Sequence, residues 1–185
     1  KKFTRLFTGA DDSIFYPDDK IKKSDKFTVL FRGKILPEAG VKHILEAAKL
    51  LEKKGVDFLI MSAGDGCGGC RQKEIKGQAE KLNLKNLELI ISKEKSEIGI
   101  KELREKMLTA HVSIGQIENH ERLERTIPYK AFESLALKLP YITGNSAGIR
   151  ELLEDRKNCL MVNLADPEDL AEKIMELKNS PELRK

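Results

Sequence analysis

From Phe27 onward, short apolar runs rich in Val, Ile, Leu and Phe alternate with stretches in which apolar residues recur every three or four positions. Runs of the first kind read as strands buried on both faces, and stretches of the second as helices with one apolar stripe. Strands are predicted over 27–31, 57–62, 87–91, 111–114, 141–143 and 159–162. Between the first two, Val41, Ile44, Leu45, Ala48 and Leu51 lay a stripe along a helix that stops before Gly55. A second helix is predicted over 71–82, and Leu103, Met107 and Leu108 predict a third. A fourth covers 129–137 and stops before Pro140, and a fifth begins near Ser146. Asp166 and Pro167 supply a cap and a first helical position ahead of Leu170, Ile174 and Leu177, the stripe of the last helix.

Six strands separated by helices give the expected fold class: α/β, a doubly wound, Rossmann-like parallel sheet of about six strands with helices on both faces. Residues 1–26 differ, being polar, interrupted by Pro17 and marked by the pairs Asp11-Asp12 and Asp18-Asp19. They are expected to be a linker, leaving 27–185 as the folded domain.

A chain of 185 residues suffices for one domain with a substantial core. Its net charge of +4 does not change the picture, because Lys and Glu are intermixed instead of gathered in blocks, so no nucleic-acid surface is expected. No apolar stretch approaches the roughly 20 residues of a membrane span. The opening residues lack the apolar core of a signal peptide, and the expectation is a cytoplasmic fragment. Three cysteines are too few for a disulfide scaffold, and Cys67 and Cys70 are read as ordinary free thiols rather than a redox pair or half a zinc site.

In such a fold ligands lie outside the carboxyl ends of the strands. Arg32-Gly33-Lys34 follows the first strand, where glycine permits close backbone approach and flanking cations could neutralise phosphate; a solvated turn is equally compatible. The glycine-rich loop of residues 64–70 follows the second strand rather than the first, which argues against a dinucleotide fingerprint. After the fourth strand come Gly115, a polar loop through Arg122 and Arg125, and then Thr126-Ile127-Pro128-Tyr129-Lys130-Ala131-Phe132-Glu133. A helix starting near Pro128 would aim its free N–H groups at the crevice, the arrangement that binds phosphate. Lys130 adds a cation in its first turn, and a turn later Glu133 could accept two hydrogen bonds from a ribose diol. On spacing alone a surface helix whose charges bind nothing remains open. His43, His111 and His120 have no Ser or Cys at suggestive spacing, so no catalytic triad is read.

The run FTVLFRGKILPEAGVKHILEAAKLLEKKGVDFLIMSAGDG resembles the start of the C-terminal domain of family 4 glycosyltransferases of the GT-B fold. The stretches 126–137, 140–143, 148–153 and 166–171 are similar to later motifs of that family, in the same order. The resemblance implies a domain that binds a nucleotide diphosphate sugar, of UDP or GDP type, without cofactor or metal. It implies a retaining hexosyltransferase whose acceptor is held by a separate N-terminal domain, through which contact with a cytoplasmic membrane surface is possible. Gly33, Lys34, Arg125, Thr126, Ile127, Lys130 and Glu133 are the implied donor-binding residues. Lys34, at the family's arginine, is the implied stabiliser of the leaving phosphate, and Glu133 the implied ribose ligand. Base choice is implied for the loop around Ser92 and Lys93. Three positions depart from the family pattern: Ala39 replaces a lysine, Arg125 a glutamate and Lys34 an arginine. A catalytically impaired binding module, or a nucleotide-sugar epimerase, are the alternative readings.

Overall fold

The structure, a computed structural model, describes residues 6–64, 67–92 and 99–184. Every predicted strand forms: β1 (Phe27–Arg32), β2 (Val56–Ala63), β3 (Leu87–Ser92), β4 (Val112–Ile114), β5 (Tyr141–Gly144) and β6 (Leu160–Val162). All pair in parallel, in the order β3-β2-β1-β4-β5-β6. Their side chains alternate between two covered faces, which is why the runs are apolar throughout.

One face carries α1 (Val41–Leu51), α2 (Cys70–Lys81) and α6 (Pro167–Asn179), whose Ile44, Leu45, Ile75, Leu170 and Ile174 join Val29, Phe31, Phe58 and Ile60 in the larger core. The other face carries α3 (Ile100–Thr109), α4 (Tyr129–Ala136) and the single turn α5 (Ala147–Arg150). There Met107 and Leu108 pack with Leu30 and Met61, and Ala131 and Ile149 with Tyr141 and Met161. Asp166 caps α6 as expected, accepting from the Asp169 N–H at 3.0 Å.

Segment 6–26 contains no helix or strand, yet it lies against the sheet. Phe15 is buried beside Leu30 and Met61, while Arg104 stacks on the Tyr16 ring at 3.8 Å and donates to the Tyr16 carbonyl at 3.0 Å. His111 stands one residue ahead of β4, where its Nδ1 accepts from the Thr28 N–H at 3.1 Å and its own N–H donates to the Thr28 carbonyl at 2.8 Å.

The reading of Cys67 and Cys70 as free thiols is corrected: they form a disulfide. Gly68 and Gly69 take φ of 69° and 99°, turning the chain so that the two Cα atoms lie 5.7 Å apart, within disulfide reach. Cys159 is free and buried.

Candidate functional site

The strand order reverses between β1 and β4, so the crevice for a ligand opens beyond their carboxyl ends. Four predicted residues meet or approach one another there. Gly33 continues β1 with its N–H on the Met61 carbonyl at 2.9 Å and takes φ of 137°, a conformation that side chains rarely adopt. A Cβ at this position would lie 3.1 Å from Lys130 Nζ. Lys130 thus reaches from the first turn of α4 to the end of β1, where its ammonium sits 4.0 Å over the Phe31 ring. One turn along the same helix, Glu133 forms an ion pair with Arg32. Both of those side chains are about 85% covered, at 16% and 15% exposure. Lys34 follows on the outside of the turn, exposed.

These groups are electrostatically linked. Burial first, and repulsion from Arg32 second, pull Lys130 down to about 7, with Glu38 acting in the opposite direction. Burial lowers Arg32 to about 10, which leaves it charged at neutral pH. Glu38 is itself buried and accepts from Arg122 Nη1 at 2.7 Å. Burial also raises the Tyr141 phenol, so it remains a neutral hydroxyl under α4. Among the described residues, Lys130 makes no ion pair.

The approach to α4 is built by its loop. A 3-10 turn over Glu121–Glu124 is capped by His120, whose Nδ1 accepts from the Arg122 N–H, and Thr126 Oγ1 donates to the Arg122 carbonyl at 2.6 Å. Ile127 packs toward Ala131 and Tyr141, and Arg125 is exposed between them. Pro128 precedes the first turn, where no side chain caps the helix and the Ala131 N–H bonds to the Pro128 carbonyl at 2.9 Å. Thr126 and Ile127 therefore fasten the loop through a hydroxyl and an apolar contact, while Arg125 and Lys34 are exposed to solvent.

Sequence reasoning missed the Arg32–Glu133 pair and the Glu38–Arg122 pair. Strand alternation carried the first signal: Arg32 shares its face with Leu30, under α4, and an arginine ending an apolar strand needs a counter-charge. His43 lies in α1 beside Glu46 and Glu118, consistent with a structural role. Ser92 ends β3, where its carbonyl accepts from the Gly64 N–H and from Gln72 Nε2. Asp65, Gly66 and Lys93 lie outside the described residues. Among the described residues no group of three or more His, Cys, Asp or Glu is placed to hold a metal ion, and no helix is long and apolar enough to cross a membrane. A separate cavity of about 310 Å³, with Lys138, Pro140 and Leu160 on its walls, opens at the amino ends of β5 and β6, away from this cluster.

The sequence pattern described as glycosyl transferases group 1 matches residues 12–185. An uncharacterised glycosyltransferase of Methanocaldococcus jannaschii is 29% identical over 180 residues, covering 97% of this chain and 45% of that protein. The C-terminal domain of the group 1 family protein LpcC from Francisella tularensis has the same fold, with a TM-score of 0.73 at 19% identity over 95% of this chain and 91% of that one. Anabaena HepE, solved in complex with UDP-glucose, superposes with a TM-score of 0.77 at 14% identity, covering 97% of this chain and 48% of that one. The chain spans less than half the length of the curated relatives it matches.

Proposed function

Because the chain belongs to the glycosyl transferases group 1 family, we propose that it is the donor-binding domain of a retaining, metal-independent glycosyltransferase that moves a hexose-type sugar from a nucleotide diphosphate. The acceptor is held by a second domain, N-terminal to this one, and residues 6–26 connect the two. The observation that carries this reading is Lys130, set against Gly33 at the strand-order reversal, with Glu133 one turn further along the helix.

The diphosphate lies between the turn of residues 32–34 and the first turn of α4. Lys130, Lys34 and the uncapped N–H groups stabilise the negative charge that collects on the diphosphate as its oxygen leaves the anomeric carbon with the bonding electrons. Glu133 accepts from the ribose hydroxyls, and Thr126 and Ile127 fix the loop from which Arg125 reaches the donor. HepE in complex with UDP-glucose supports a UDP-type donor in this fold. No cofactor is required by this chemistry, and the proposed location is cytoplasmic.

Titration of the chain with UDP, GDP and ADP, followed by amide chemical shifts, tests the site. Saturable changes at Gly33 and around Glu133 are expected with at least one of them, and their absence with all three overturns it.

A second reading has specific support. Ala39 is 1% exposed within the core, so no cation replaces the family's lysine there, and Arg125 stands where the family has a glutamate. Both favour a binding module that has lost transfer. Acceptor-dependent release of nucleotide from a panel of donors by the full-length protein would exclude it, and release of an altered sugar without acceptor would mark an epimerase.

A further inference from the structure

The buried ion pair beneath α4 is unexplained by the donor-site reading alone. Arg32 is the last residue of β1, and its side chain enters the face of the sheet that α4 covers, where its neighbours are the Phe15 ring at 6.0 Å, Tyr141, Lys130 and Glu133. Its only ion-pair partner among the described residues is Glu133. A guanidinium buried there is costly unless a carboxylate answers it, and a carboxylate buried there is costly unless a cation does. An arginine presents a planar fork that fixes the plane of a carboxylate as well as its charge, whereas an ammonium fixes only charge. The Glu133 side chain keeps 15% exposure, so part of it remains accessible.

We propose that Arg32 is a positioning residue for Glu133: it holds the carboxylate ionised and oriented so that the exposed edge accepts from the two hydroxyls of a ribose. This rests on the donor-site reading above. Arg32 does not touch the nucleotide; it acts through Glu133.

The experiment compares binding of UDP and of 2′-deoxy-UDP to wild type, R32K, R32M, E133Q and R32M/E133Q, with thermal melts of each variant. Wild type is expected to prefer UDP by about tenfold, the effect of one hydrogen bond to a charged acceptor. R32M is expected to lose most of that preference, and R32K to retain part of it. E133Q and R32M/E133Q are expected to share one low preference, because without the carboxylate Arg32 has nothing to orient; this pair also answers the question if R32M leaves Glu133 too poorly compensated to fold. Preference unchanged in R32M, with both affinities falling in parallel with the melting temperature, overturns the proposal and leaves Arg32 a structural residue. A difference in preference between E133Q and R32M/E133Q overturns it too, since Arg32 would then act independently of Glu133. If wild type binds neither nucleotide, the donor-site reading fails and carries this inference with it; if wild type prefers UDP and R32M matches it, the inference alone fails.

Discussion

Lys130 carries a charge that its surroundings resist. Enclosure by Phe31 and α4, together with the nearby Arg32, brings it to about 7, against the pull of Glu38. On the proposed donor site an incoming diphosphate would favour the ammonium, so binding above pH 7 would take up a proton. The affinity for UDP-glucose, whose phosphates do not titrate in this range, is expected to fall as pH rises from 6 to 8, by up to about tenfold per unit above 7. Lys130→Met should bind more weakly at every pH and lose the slope, and calorimetry at several pH values would show it. The same shift acts on folding with a definite sign. Between about 7 and the unfolded value of 10.5 the unfolded chain holds a proton that the folded one lacks, so this residue's contribution to stability rises with pH across that window. Spacing made Gly33, Lys130 and Glu133 legible, because each belongs to a loop or helix start that the strand order brings to one crevice. Arg32 was legible only as a cation beside a glycine. Its pairing depends on which sheet face it enters and which helix covers that face, and both are set by residues about a hundred positions away.

At the scale of elements, the loop ahead of α4 is held by close packing on α5. A Cβ at Gly148 would fall 2.6 Å from the Leu123 carbonyl oxygen and 2.8 Å from the Thr126 nitrogen, both backbone atoms that cannot swing aside. Gly148→Ala is expected to cost about 1–3 kcal/mol in urea denaturation and to weaken nucleotide binding through the displaced loop. The start of α2 is fixed differently, by the Cys67–Cys70 disulfide. A ring that short removes little chain entropy, so reduction should lower stability by at most about 2 kcal/mol. Melting with and without dithiothreitol measures this, and a larger loss would mean that the bridge holds more than its own turn. Sequence alone could not settle that pairing: Cys-x-x-Cys spacing is shared by thiols, metal sites and disulfides, and the two left-handed glycines decide among them.

For the molecule as a whole, the expected architecture was legible because a doubly covered parallel sheet writes apolar runs that few other folds produce. What periodicity could not show was the thickness of each layer's cover, such as the single turn of α5 or the use of Phe15 as a core residue from an irregular segment. The heaviest cover is α6 on α1, where Leu170, Ile174 and Leu177 share a core with Ile44, Ala48 and Leu51. Ile174→Ala is expected to cost about 2–5 kcal/mol, read from denaturant melts, without changing the ratio of affinities for different nucleotides. That partnership also joins nearly the first helix of the chain to the last. Within this domain α1 is made well before residues 167–179, the helix beside it, and β1 well before its neighbour β4. The crevice between β1 and β4 therefore rests on contacts between distant parts of the chain, a topology that folds slowly and leaves apolar surface uncovered until those contacts are complete.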